Sequence, residues 1–276
     1  MKKLMTVALL LMVFQVKSQT FEGTVKWSMK MDINDPKTKA QMEEVQKKMN
    51  DPATQAKMKD LEEKMKDPKF KAMMDANPQM KAQMESMMKM QQGGGGMNAM
   101  MPKGMTMRMK GGNTLTKMDG GMMDGYEVLH MKEKNQIVRL DRVNKTYIPM
   151  PTGSNASSGP SPVITKTRET ATILGYTCTK YVGEVTERGT TMKEIFWTTT
   201  DIKDLDMKSL GSQRMGPGSR PVLPDGVEGV PLKIEIATPE GNAMVMEVTE
   251  IKRESLNASD FTIPSDYKEG KMTGRF

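Results

Sequence analysis

The sequence is poor in the residues most proteins use for chemistry and for cores. It has one cysteine and one histidine in 276 residues, and aromatics make up only 5%. A single Cys cannot form an internal disulfide, so a disulfide-stapled scaffold is excluded. One His and one Cys cannot supply the usual ligands of a zinc site. Leu, Ile, Val and Phe together number 47, about 17% of the chain, below the roughly 20% at which a highly charged chain reads as disordered. No apolar run is long enough for a bilayer span, which needs about 20 residues. A transmembrane bundle and a coiled-coil rod are both excluded. What fills the deficit is methionine. There are 33 of them, which raises the apolar share to about 29%, enough for a core.

The first residues read as a secretory signal. Lys2 and Lys3 form a basic n-region, and Leu4–Phe14 is an apolar stretch of h-region length. Val16 and Ser18 suit the small-residue positions, which predicts cleavage after Ser18. Removal of Lys2, Lys3 and Lys17 takes the net charge from +7 to +4, with no basic stripe of the kind that marks nucleic-acid binding. Cys178 is far from the cleavage site, so it is no N-terminal lipid anchor. The expected location is the periplasm or outside the cell, with no integral span in the mature protein and peripheral membrane contact left open.

The chain then alternates. Phe21, Gly23, Val25, Trp27, Met29 and Met31 share one face of a half-buried strand. After it, Asp35-Pro36, Asp51-Pro52 and Asp67-Pro68 recur every 16 residues. Asp is a good N-cap, and proline is favoured at the first helical position. Met42, Val45 and Met49 form one helical stripe. Glu43–Lys47, Glu44–Lys48, Asp60–Lys64 and Glu62–Lys66 have the acid-first i,i+4 order that supports a helix. Asn77-Pro78 opens a fourth piece, with Met80, Met84, Met87 and Met88 on one face. Residues 34–96 therefore read as a Met-rich helical insertion. Short helices are marginal alone in water, so these are expected to pack on one another or over the sheet.

Gly93–Gly96 is a flexible break, and after it the period of two returns. Met105, Met107 and Met109 alternate with Thr106, Arg108 and Lys110. Gly111-Gly112 predicts a hairpin turn into Asn113–Lys117. Strands follow at Tyr126–Met131, Gln136–Asp141, Lys145–Met150, Val163–Arg168, Thr177–Val185, Thr191–Thr198, Leu232–Ala237 and Ala243–Ile251. Loops are expected at 151–162 and 211–231. The last two strands should turn Leu232, Ile234 and Ile236, and Met244, Met246 and Val248, inward. The fold class is α+β, mainly antiparallel β: a curved sheet or open β-barrel of about ten strands. The helical insertion follows its first strand, and residues 19–276 form a single β-rich domain.

Several segments, Ile173-Leu174-Gly175-Tyr176-Thr177-Cys178-Thr179-Lys180-Tyr181, Glu194-Ile195-Phe196-Trp197-Thr198, Met246-Glu247-Val248 and Phe261-Thr262-Ile263-Pro264, resemble an exported bacterial family known as domain of unknown function 4412. The strand pattern is distantly similar to the periplasmic lipoprotein-carrier superfamily. That likeness implies an open β-barrel with helices over a hydrophobic cavity. It implies a fold, and it assigns no catalytic residue.

No catalytic constellation stands out. His130 lies mid-strand and faces with Tyr126 and Val128, as an ordinary strand residue does. Cys178, with Tyr176 and Val182, reads as a buried, inert packing residue; Lys180 is its one close cation. Gly93–Gly96 lacks the Lys-Ser/Thr of a phosphate loop. Glu43-Glu44 and Glu62-Glu63 fall on a solvated helix face, whereas catalytic carboxylate pairs need environments that separate their pKa values. No cofactor, no catalytic residue and no defined metal site is assigned.

Twenty of the 33 methionines fall between Met42 and Met123, and three readings compete for them. Met can simply fill the core. It can line a deformable groove for an apolar small molecule or a lipoprotein's acyl chain, because it is unbranched and polarizable. Thioethers can also bind Cu(I), a soft ion, through Met97, Met100, Met101 and Met105, or through Met105, Met107 and Met109. Alternate residues on one strand stand about 7 Å apart, so that last trio would need bent side chains. The leading expectation is a non-enzymatic envelope protein binding an apolar ligand. Its candidate groove residues are Met84, Met87, Met88, Met105, Met107, Met109, Trp197, Ile234 and Met246. A copper-binding protein and a structural or interaction module are the alternatives.

Overall fold

The computed structural model describes residues 20–65, 67–70, 73, 101–150, 160–187, 189–205, 223–237, 241 and 243–270. Twelve strands form one sheet: β1 (Gly23–Asp32), β2 (Gly104–Lys110), β3 (Asn113–Asp119), β4 (Glu127–Met131), β5 (Gln136–Asp141), β6 (Thr146–Met150), β7 (Val163–Ile173), β8 (Tyr176–Glu187), β9 (Thr190–Thr199), β10 (Val230–Ala237), β11 (Ala243–Arg253) and β12 (Lys268–Glu269). Their order is β12-β6-β5-β4-β3-β2-β1-β11-β10-β9-β8-β7. The fold is thus mainly antiparallel β with an open, unclosed sheet, and the strand count is twelve rather than about ten. The final strand pairs parallel with β6.

Two meanders flank β1. Residues 104–150 run out from one side of it through β2 to β6, and residues 163–253 return to the other side through β7 to β11. The turns follow backbone chemistry. Gly111 and Gly112 have φ of +59° and +82°, a primed two-residue turn whose twist matches the strands. The β7–β8 hairpin turns at Leu174 and Gly175, with φ of +50° and +81°, so a leucine occupies a conformation that Asn or Gly would hold more cheaply. Pro231 has no N–H to donate and sits where the β9–β10 register shifts, the kind of place a strand tolerates proline.

Two hydrophobic clusters lie on the sheet. The larger joins Phe21, Val25, Trp27, Met105, Met107, Met109 and Met118 to Tyr181, Phe196, Leu232, Ile234, Met246 and Val248. Leu223, Val227 and Val230 belong to it, so the part of segment 211–231 within the described residues carries core side chains. The smaller cluster holds Leu115, Leu129, Met131, Val138 and Leu140 with Leu256 and Phe261. Leu115 and Leu129 pair with each other, one residue out of step with the Met118 face. The chain after β11 packs on this second face and closes it with Phe261, Ile263 and Tyr267. Arg108–Asp260 (2.7 Å), Arg142–Glu127 (2.6 Å) and Lys145–Asp266 (2.8 Å) fasten that segment and its surroundings. Such partly exposed pairs are worth about 0–1 kcal/mol each, so the apolar contacts dominate.

The insertion begins as the Asp-Pro pattern predicts. α1 spans Pro36–Asn50 and α2 spans Pro52–Met65. Asp35 accepts from the Lys37 and Thr38 N–H groups, and Asp51 accepts from Thr54 N–H. Lys48–Glu44 and Lys64–Asp60 close at 2.7 and 2.6 Å. Every described side chain of α1 and α2 is exposed or half-exposed, and Val45, in the middle of the apolar stripe, is 43% exposed. Capping and i,i+4 pairs define these helices locally, and of the apolar stripe the described Met42 and Val45 stay out of the core. Met84, Met87, Met88, Met97 and Met100 lie outside the described residues.

Candidate ligand-binding face

Strand register gathers the sheet's methionines. In β2, Met105, Met107 and Met109 stand opposite Trp27, Val25 and Gly23 of β1. Met105 also stands opposite Met118 of β3. On the other side of β1, Trp27 pairs with Val248, Met29 with Met246 and Met31 with Met244 of β11. Met246 and Met244 in turn face Ile234 and Ile236 of β10. Side chains directly opposite on one face come within about 5 Å at Cβ. The result is a continuous thioether surface across four strands, with Trp27 in its middle.

Two glycines let the backbones close on this surface. A Cβ at Gly104 would lie 2.6 Å from the Trp27 carbonyl oxygen, and one at Gly23 would lie 2.1 Å from that of Lys252. Both approaches are closer than any side chain allows, which explains glycine at the ends of the Trp27 pairings.

Of the residues expected to line a groove, Met105, Met107, Met109, Ile234 and Met246 come together in the large cluster. Met105, Met107 and Met109 are only 6%, 5% and 6% exposed, so they form a packed wall rather than an open trough. Trp197 is half-buried and packs against that cluster. It stands opposite Lys180 and Lys233, one position out of step with Phe196 and Ile234. Its indole donates to Glu235 at 3.3 Å, and the Lys180 ammonium lies 5.6 Å from its ring centroid. Its polar contacts thus lie beside Lys180 and Glu235 while the half-buried ring packs on the cluster.

Trp27 and His130 were not singled out as site residues from the sequence. Trp27 is buried on the Met face, and its Nε1 has no hydrogen-bond partner among the described residues. His130 stands opposite Thr114, whose neighbour across β2 is Met109. Its Nδ1 is likewise buried and unpartnered among the described residues. Burial, with the Lys132 charge beside it, pushes the imidazole below its usual pKa and favours the neutral ring. Cys178 is fully buried, and that burial pushes its thiol upward. Among the described residues no group of three or more His, Cys, Asp or Glu is placed to hold a metal ion. No described helix is long and apolar enough to cross a membrane.

A family model described as Domain of unknown function (DUF4412) matches residues 73–267. The chain belongs to the DUF4412 family. The match spans β2 to β11 but leaves out β1, which the sheet places between β2 and β11. The structural unit in this DUF4412 protein therefore reaches back to Phe21, whose backbone N–H donates to Asp204 and whose ring packs in the large cluster. No curated protein matches the chain. Two solved structures titled for PNGF-II, in C2 and P21 space groups, are similar over 61% and 60% of this chain, at 18% and 17% identity and TM-scores of 0.36 and 0.33. The chain spans 28% of the length of each.

Proposed function

We propose that this protein is a non-catalytic, exported envelope protein that binds an apolar ligand carrying a hydrogen-bond acceptor, such as an acyl chain with its carboxyl or ester oxygen. One observation carries the reading. The buried Met face holds the Trp27 indole N–H with no partner among the described residues. A buried donor left unpaired costs about 1–3 kcal/mol, and such a group in a native structure calls for an explanation. An acceptor oxygen held beside Trp27 supplies one, and the flexible thioethers around it give way to an acyl chain.

The insertion supports the same reading. In the capped helix α1 the described stripe residues Met42 and Val45 stay out of the core, with Val45 exposed. An apolar ligand would give that stripe something to cover. The signal-like Lys2–Ser18 segment supports a periplasmic or extracellular location, where acyl chains and lipoproteins are at hand.

The test is titration of the mature protein with a fluorescent fatty acid, beside Trp27→Phe. Saturable binding is expected, weakened 3- to 10-fold in Trp27→Phe, with both proteins compared under conditions where urea unfolding shows each fully folded, because the smaller ring leaves a cavity in the buried cluster. A hydrocarbon probe without an acceptor should bind both proteins alike. No saturable binding of either probe would overturn the reading.

A further inference from the structure

We infer that Met29, Met31, Met244 and Met246 form a site for a soft monovalent cation, Cu(I) or Ag(I). Met29 stands opposite Met246, and Met31 opposite Met244, on adjacent antiparallel strands. The four side chains rise from the corners of a rectangle. Its short side is the cross-strand Cβ spacing of about 5 Å, and its long side is the two-residue strand repeat of about 7 Å. A methionine sulfur sits at the end of two side-chain bonds from Cβ, and each chain is free to swing. Four such sulfurs can converge on one point above the rectangle. A trio along a single strand cannot do so without bending, because it lacks the short side.

The surroundings select the ion. The neighbours on this face are Trp27 and Val248 at one end and Ile234 and Ile236 alongside. Lys30, Glu247 and Glu250 lie out of step with it, and Glu250 is taken by Lys26 at 2.6 Å. The donor set is therefore thioether alone. Neutral thioethers favour Cu(I), while Zn(II) and Cu(II) want imidazole, thiolate or oxygen ligands. Access is provided at one end: Met246 is buried, whereas Met29, Met31 and Met244 are half-exposed. This site spans β1 and β11, with β1 directly beside the Met105–Met109 row of β2, and it shares only Met246 with the groove residues expected from the sequence.

The test is methyl NMR of the mature protein with 13C-labelled methionine, titrated with Ag(I) in chloride-free buffer. Four methyl resonances, assigned by single Met→Leu variants at 29, 31, 244 and 246, should shift together and saturate at one equivalent. Met31→Leu/Met244→Leu should weaken this binding at least 10-fold. That double variant leaves Trp27 untouched and keeps the surface apolar, so the loss of fatty-acid affinity should be much smaller than the loss of Ag(I) affinity, which keeps the two proposals separable. Met42→Leu/Met73→Leu should leave the four shifts intact. Zn(II) at the same concentration should shift none of the four. If the first equivalent of Ag(I) moves only other methionines, or the Met31→Leu/Met244→Leu variant binds as tightly as wild type, the inference is wrong.

Discussion

The sheet and the helical insertion use the same unusual residue in opposite ways. In β2 the methionines are about 5% exposed and pack against Val25 and Trp27. In the insertion, Met42 is half-exposed and Met73 is 49% exposed. A stripe at helical spacing usually signals burial, but spacing fixes only which residues share a face. Whether that face meets anything is a tertiary matter. The difference shows that methionine as core filler accounts for the buried sheet positions and does not account for Met42 and Met73.

The sharpest break between the two regions is energetic. Met107→Ala should cost about 2–5 kcal/mol, the range for truncating a buried Met, read as a lower urea midpoint. Val45→Ala on α1 should stay within about 0.5 kcal/mol, as exposed substitutions do. Equal losses would show that the helices are packed into the same cooperative unit.

A smaller effect separates local from global order. Asp35→Ala removes the cap that accepts from Lys37 and Thr38 N–H, which is worth about 1 kcal/mol of helix stability. Circular dichroism should lose helix signal while the sheet's unfolding midpoint stays in place. A parallel fall in both would join what the account keeps apart.

The next effect depends on pH. His130 has a lowered folded-state pKa through burial and Lys132, so the unfolded chain takes up its proton first as pH falls past about 6.5. Stability should therefore decline from that pH down to the folded pKa and flatten below it. His130→Gln should lack this slope in urea midpoints measured between pH 7 and 4. The smallest effect is chemical. The Cys178 thiol is buried and shifted upward, so it should resist a thiol reagent at pH 8 in the native sheet and react fully in urea. Rapid native labelling would contradict the packing.

Much of the sheet was legible because half-buried strands alternate. β1 to β6 and β8 to β11 fall where the period of two puts them, and Gly111-Gly112 turns as its chemistry requires. β7 extends to Ile173, five residues past the expected end, because an edge strand with mostly exposed side chains leaves a weak pattern. β12 is two residues long and pairs parallel with β6, too short to carry any period. The Asp-Pro caps were legible because capping is local. The site was legible only in part. Met105, Met107, Met109, Ile234 and Met246 announce themselves by alternation. The pairing of Met29 with Met246 depends on β1 lying beside β11, more than 200 residues away in the chain, and no local pattern reports that. The unpartnered Trp27 N–H is equally silent, since a sequence shows a donor but not its missing acceptor. Trp197 is legible only in part: its aromatic character points to the cluster it packs against, while its register opposite Lys180 and Lys233 depends on strand pairing that no local pattern reports.

The central claim is that the Met face takes up an apolar molecule. Native mass spectrometry of the mature protein purified from its host envelope tests it most directly. The account predicts one added mass per chain that organic extraction removes and that returns when the stripped protein is mixed with a long-chain fatty acid. A bare polypeptide mass before and after that mixing would contradict it.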